Sequence, residues 1–138
     1  MKDCTLREIE DRLPNGFHDA RLNGLTFCLS TNEVKFDLQV FVGDPDSDME
    51  ENRERYRNAT LLIQGILYFA IDPPTGIEGY PTCSSRIDGG TADEASSDAL
   101  KPLKPLPDGA FAYWFYIENW NSFIHLAAKS ASLQWEQA

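Results

Sequence analysis

The sequence predicts a mainly β protein of the α+β class, in which a mostly antiparallel sheet of about six or seven strands carries one short N-terminal helix. Three observations predict this class. A helical spacing of apolar residues ends at Pro14-Asn15-Gly16, a two-residue alternation follows over residues 21–42, and apolar, aromatic runs return at residues 59–71 and 110–117. With 138 residues, we expect a single domain over residues 1–138, curled into a sandwich or half-barrel.

The helix is predicted over residues 5–13 by its start signal and its apolar face. Thr5-Leu6-Arg7-Glu8 has the form of a capping box, in which Thr5 accepts from the amide of Glu8 and the Glu8 side chain reaches back. Leu6, Ile9 and Leu13 recur on one helical face. The helix is therefore expected to pack its apolar side on the sheet.

The strands are predicted from alternation and from β-branched and aromatic content. A hairpin turns at residues 30–33, and Asn23-Gly24 is expected to hold a bulge because Leu22 is out of phase with Leu25. A short surface helix is expected near residues 48–56. The predicted strands are residues 25–29, 34–42, 59–71, 110–117, 122–128 and 132–135.

Residues 72–109 read as a long flexible excursion from the domain. Residues 82–87 are expected to add an edge strand, residues 88–100 are small, polar and acidic, and residues 101–107 alternate Lys, Pro and Leu in a pattern typical of polyproline II. We expect residues 88–100 to be the most mobile stretch away from the termini.

The charge of the chain narrows the class of partner. Twenty-two acidic residues against twelve basic ones give a net charge of -10, which argues against nucleic acid and against an anionic membrane. A basic protein is the partner that this charge permits, and a second copy of the chain in a homodimer is the alternative. No apolar run is long enough to span a bilayer and the N-terminus lacks the apolar core of a signal peptide, so a cytoplasmic location is expected.

No cofactor or metal is expected. Cys4, Cys28 and Cys83 form no CxxC pair, and neither a phosphate-binding loop nor a GxGxxG motif is present. An enzyme would have to be built around His18, Asp19 and His125, which are able to share a metal or a proton if they converge in one cleft. Neighbours in extended backbone point to opposite faces, so we predict instead that His18 or Asp19 bonds a backbone group at the helix-to-strand corner.

Aromatic residues are concentrated in the last third of the chain, beyond what one face of a small sheet requires. Two readings remain open: burial on both faces of the sheet, or an aromatic surface for a partner or a second subunit. The interface residues expected under the second reading are Tyr113, Trp114, Tyr116 and Trp120.

The stretches LPNGFHDARLNGLTF and AYWFYIENWNSFIHLAAKSASLQW resemble a family of small bacterial proteins of unknown function. That family has a helix, a Phe-His-Asp-Ala corner leading into a hairpin, and a Trp-Asn…Phe-Ile…Ala motif. The corner is also similar to immunity proteins of bacterial polymorphic-toxin systems, which often pair a short helix with an antiparallel sheet. The resemblance implies a corner motif at Phe17, His18 and Asp19 with no catalytic role to carry over.

The sequence therefore favours a non-enzymatic, cytoplasmic protein-binding protein, with neutralisation of a basic toxin as the particular role. Two alternatives stay open. The first is a metal-dependent or hydrolytic enzyme that uses His18, Asp19 and His125, and the second is a small-molecule carrier with an apolar cavity in the sheet.

Overall fold

The computed structural model describes residues 4–74, 85–91 and 105–136. Within them, six antiparallel strands close into a barrel in the order β1-β2-β3-β6-β5-β4, which confirms the predicted fold class and completes the expected half-barrel. The elements are α1 (Leu6–Arg12), β1 (Ala20–Cys28), β2 (Glu33–Phe41), α2 (Glu50–Arg53), β3 (Tyr56–Ile71), β4 (Ser85–Thr91), β5 (Phe111–Ile117) and β6 (Ser122–Trp135).

Helix α1 begins with the predicted capping box. The Glu8 amide donates to the Thr5 hydroxyl at 3.1 Å, and the Glu8 carboxylate accepts from the Thr5 amide at 3.2 Å. Leu6 and Ile9 are fully buried, because the helix packs its apolar face against β4, β5 and β6. The helix therefore contributes to the core although it has only two turns.

Strands β1 and β3 each contain an irregularity in their pairing. The predicted bulge in β1 is confirmed by the register shift between Leu22 and Gly24. Strand β3 bends at Gly65, which has a φ of 65°, and shifts register between Ile66 and Tyr68.

The expectation of two strands at the C-terminus was wrong, since β6 is continuous. Ser130 and Ala131, which were expected to connect the two strands, pair with β3.

Strand β4 differs most from the prediction. It covers Ser85–Thr91 and pairs with β1 on one side and β5 on the other, so it is an internal strand and not an edge. Asp88 to Thr91, expected in the mobile stretch, belong to this strand. The remainder of that stretch, residues 92–100, lies outside the described residues. Pairing with both neighbours is what closes the barrel.

Aromatic rings fill the interior of the barrel. Phe115 lies at the centre, with ring centroids 5.3 Å from Phe17, 5.3 Å from Phe36 and 5.0 Å from Tyr113. Most of these contacts are edge-to-face, the arrangement that aromatic pairs prefer. Because side chains occupy this space, as in other small barrels, nothing in the described interior favours the small-molecule carrier.

Asn15 attaches the segment between α1 and β1 to the end of β2. Its side-chain amide donates to the carbonyl of Phe41 at 3.1 Å and to the carbonyl of Gly43 at 2.9 Å. Both acceptors belong to buried residues at the end of β2. One side chain thus satisfies two carbonyls that have left the β ladder.

Replacing Asn15 with alanine should destabilise the fold by about 2 kcal/mol, because two buried carbonyls lose their donors. Thermal or chemical denaturation measures the change. Asn119→Ala is the matched control, since Asn119 is an exposed turn residue whose side chain has no hydrogen bond to another described residue. Equal losses in the two variants would show that the Asn15 bonds add nothing to stability.

Candidate functional site

The Phe17-His18-Asp19 corner sends its three side chains in different directions. Phe17 is fully buried and meets Tyr113 and Phe115 edge-to-face inside the barrel. His18 is exposed, and its Nδ1 lies 3.1 Å and 3.2 Å from the two carboxylate oxygens of Asp88 on β4. Asp19 has a φ of 59° and turns the chain into β1.

The prediction that His18 or Asp19 bonds a backbone group was wrong. Among the described residues their side-chain partners are other side chains: His18 Nε2 lies 3.4 Å from Asp19 Oδ2, and Arg86 Nε lies 3.9 Å from Asp19 Oδ1. The geometric argument assumed extended backbone at both positions. The left-handed conformation of Asp19 removes that assumption and brings the two neighbours together. Asn15 provides the side-chain-to-backbone contact in this turn.

His125 forms a second, separate pair. Its Nε2 lies 3.0 Å from Oδ2 of Asp72, the residue that follows β3. The His125 ring stacks on Phe123, with ring centroids 5.8 Å apart and an interplanar angle of 27°. His125 lies on the Phe123 side of β6, opposite the buried Ile124 and Leu126.

The two histidines do not meet. His18 is bound to Asp88 on β4, whereas His125 is on β6, two strand spacings or roughly 10 Å away. Ligands of one metal ion lie about 2 Å from it. Consistent with this, no group of three His, Cys, Asp or Glu side chains in the described residues is arranged to hold a metal. His18, Asp19 and His125 therefore do not form one site.

Between the two histidine–aspartate pairs lies an aromatic surface on the outside of the barrel, here called the outer aromatic face. It consists of Trp114 and Tyr116 on β5 and Phe123 on β6. Phe123 contacts both other rings, with centroids 5.7 Å from Trp114 and 5.0 Å from Tyr116. Phe123 is 37% exposed, and the other two are half-buried.

The rows of the sheet place a carboxylate at each side of this face. Asp88 is the register partner of Tyr116, and Tyr116 is the partner of Phe123. On the far side, the Asp72 amide donates to the Phe123 carbonyl at 2.9 Å. Asp72 and Asp88 are both about half exposed. The face is thus apolar in its centre and acidic at two edges.

Only part of the predicted interface is on this surface. Trp114 and Tyr116 are, whereas Tyr113 is 1% exposed inside the barrel and was wrongly assigned. Trp120 packs against the core from the turn between β5 and β6, and its indole nitrogen is buried without a hydrogen-bond partner among the described residues. Adjacent strand residues point to opposite faces, so the alternation alone separates Tyr113 from Trp114.

Two glycines of β4 make room for these rings. A Cβ at Gly89 would lie 2.7 Å from the Tyr113 hydroxyl on the inside of the barrel, and a Cβ at Gly90 would collide with the Trp114 indole on the outside. Neither glycine has a positive φ. Both are therefore required for space rather than for backbone conformation.

Inside the barrel, Tyr113 faces the only acidic side chain of α1 that is largely buried. The Tyr113 hydroxyl has no hydrogen bond of standard geometry among the described residues. Burial, followed by the nearby charge of Glu10, raises the pKa of Tyr113 well above its usual range. Burial likewise raises the pKa of Glu10, although Tyr113 and Arg7 act in the opposite direction.

Cys28 is an exposed thiol outside the outer aromatic face. The Ser30 hydroxyl, 3.4 Å from the Cys28 sulfur, and next Thr31 lower the pKa of this thiol to about 7. Cys28 is exposed at the turn between β1 and β2. No histidine or carboxylate bonds it within the described part of the chain, so it has no general base beside it.

Neither a scan against family models nor searches of curated proteins and solved structures finds a match to this chain. The two resemblances of the sequence therefore stay predictions, and fold and site define the protein only as a small closed β barrel with an acidic-edged aromatic face. Neither helix among the described residues has the length and apolar character needed to cross a bilayer.

Glu10→Gln should stabilise the protein at neutral pH. Because the folded-state pKa of Glu10 is raised above 4.5, the stability that its protonated form provides is present below that value and is lost as pH rises through the raised pKa. The advantage of the variant should therefore be seen at pH 7 and disappear below about pH 4.

Melting curves of both proteins across this pH range measure the effect. Glu51→Gln, at an exposed position of α2, is the control for the change in net charge. An advantage that is the same at every pH, or equal in the control, would refute the role of burial at Glu10.

Proposed function

We propose that this chain is a protein-binding protein and that its outer aromatic face binds a basic protein. The observation that carries the proposal is the position of Trp114, Tyr116 and Phe123 between two half-exposed carboxylates on the outside of the barrel. Aromatic residues are enriched in the cores of protein interfaces and supply much of their binding energy.

Charge favours a basic partner over a second copy of this chain. Each copy has a net charge of -10, and a contact between two such faces would bring Asp72 and Asp88 towards the same residues of the other copy. Like charges in contact oppose association, whereas a positive surface would be attracted over a distance and would associate faster.

Neutralisation of a basic toxin is the particular role that we propose. In such a role the small acidic barrel would cover the functional surface of its partner, and dissociation would have to be slow. Aromatic contacts supply slow dissociation and the charge supplies fast association. A cytoplasmic location, in which the chain would meet such a partner before damage occurs, belongs to the same proposal.

The histidine–aspartate pairs do not favour an enzyme. His18 lies against the carboxylates of Asp88 and Asp19, His125 lies against that of Asp72, and neither histidine contacts a serine, threonine or cysteine through a hydrogen bond among the described residues. A base without a nucleophile or a shared metal lacks the arrangement of covalent catalysis.

The partner can be identified by cross-linking in cells. The photo-cross-linking amino acid p-benzoylphenylalanine is placed at position 116 in the outer aromatic face and, as a control, at Leu29, which is 85% exposed in the hairpin turn. The candidate partner is a protein that cross-links from position 116 but not from position 29 and that has a positive net charge.

The purified partner then allows a charge-matched comparison. Asp72→Asn with Asp88→Asn should weaken binding by about tenfold or more, because these carboxylates lie beside the contact. Glu50→Gln with Glu51→Gln changes the net charge equally at the remote α2 and should weaken it by less than about threefold. Titration calorimetry measures both. Equal weakening by the two pairs, or a partner of negative charge, would overturn the proposed function.

A further inference from the structure

The chain covers two other surface aromatic rings with its own arginines. The guanidinium carbon of Arg21 lies 4.3 Å from the centroid of the Tyr56 ring, and that of Arg57 lies 4.3 Å from the ring centroid of Trp135. These are cation–π distances. Among the described residues, no arginine or lysine occupies the corresponding position over Trp114, Tyr116 or Phe123.

The Trp114 indole is held in a fixed position on the sheet. Its inner side lies against the backbone of Gly90, where a Cβ would collide with the ring. Phe123 stands against it at an interplanar angle of 75°. The two rings therefore form a corner before any partner binds, with the Trp114 indole as its floor and the Phe123 ring as its wall. Such preorganisation lowers the entropic cost of binding.

A carboxylate lies within reach of this floor. Asp88 is two residues before Gly90 on the same face of β4, about 7 Å along the strand. Each of its oxygens accepts more than one hydrogen bond, so the contact of both with His18 Nδ1 leaves acceptor capacity. Arg86 also lies on this face of β4, and its guanidinium is directed to Asp19, with Arg86 Nε 3.9 Å from Asp19 Oδ1.

We infer that Trp114 and Asp88 form a subsite for an arginine side chain of the partner. The guanidinium stacks on the outer side of the indole, with Phe123 as the wall, and donates to Asp88. Its planar shape allows stacking and hydrogen bonding in one orientation, whereas the ammonium of lysine is a compact, strongly hydrated charge that does not stack. This inference rests on the proposed function, since it names the chemical group that the face recognises.

The test uses isolated probes, so it does not require the partner. N-acetyl-arginine amide and N-acetyl-lysine amide are titrated separately into the full-length protein, and the Trp114 indole N–H resonance is followed by NMR after assignment with Trp114→Phe. We expect the arginine probe to shift this resonance and to bind at least about threefold more tightly than the lysine probe.

Two glycine variants provide the matched comparison. Gly90→Ala should displace the indole and abolish the preference for arginine, whereas Gly24→Ala, at a strand position where a Cβ meets nothing within 4 Å, should leave it unchanged. If Gly90→Ala does not fold, Asp88→Asn decides, and it should weaken arginine binding about threefold or more. Equal shifts with both probes, or arginine binding unchanged by Gly90→Ala or Asp88→Asn in the folded protein, would overturn the inference.

The two proposals fail in different ways. If the arginine probe leaves Trp114 unaffected while partner binding still depends on Asp72 and Asp88, the arginine subsite is wrong and the proposed function stands. If the arginine probe binds as expected but the Asp72 and Asp88 substitutions weaken partner binding no more than those at Glu50 and Glu51, the proposed function is wrong and the subsite stands.

Discussion

The barrel depends on a seven-residue strand that accepts an aromatic side chain on each of its faces. Strand β4 joins β1 through three residue pairs and β5 through five. Tyr113 of β5 lies against Gly89 on the inside, and Trp114 lies against Gly90 on the outside. Any larger residue at either position would push β5 away or turn a ring out of place. Closure of the sheet, which removes its free edges, therefore requires these two small residues.

Strand β4 also holds in position the turn between α1 and β1, residues 13–19. Phe17 packs on the rings of β5 inside the barrel, while His18 reaches Asp88 of β4 on the outside. The turn is thus attached on both faces of the sheet near the point where β1 and β4 meet. Since Asp88 also borders the outer aromatic face, the corner that resembled a catalytic pair serves to position one edge of a surface.

Most of the sheet was predictable because its strands alternate regularly. Strand β4 was not, since Asp88, Gly89 and Gly90 have low strand propensity and their conformation is decided by the neighbouring rings. The site was predictable only in its local part, Trp114 and Tyr116. Its acidic edges come from Asp72, which lies 53 residues from its partner His125 in the sequence, and from Asp88, which lies 70 residues from its partner His18. No spacing motif predicts contacts between residues so far apart. The adjacency of His18 and Asp19 misled because the sequence does not reveal a left-handed φ.

Negative charge alone does not determine which side of the barrel the proposed basic partner would meet. The connection between β2 and β3 has six exposed carboxylates, those of Asp44, Asp46, Asp48, Glu50, Glu51 and Glu54. This connection enters β3 at Tyr56, whereas Phe123 of the outer aromatic face lies beside the other end of β3, where Ile71 pairs with Ile124. At physiological salt, exposed charges act over about 8 Å, less than the length of β3. In the proposed function, the acidic connection would therefore contribute to attraction at a distance, whereas the rings and the two flanking aspartates would determine the contact. For such a partner, the face with only two carboxylates would be the more selective of the two surfaces, because its aromatic centre would have to be desolvated by a partner of matching shape.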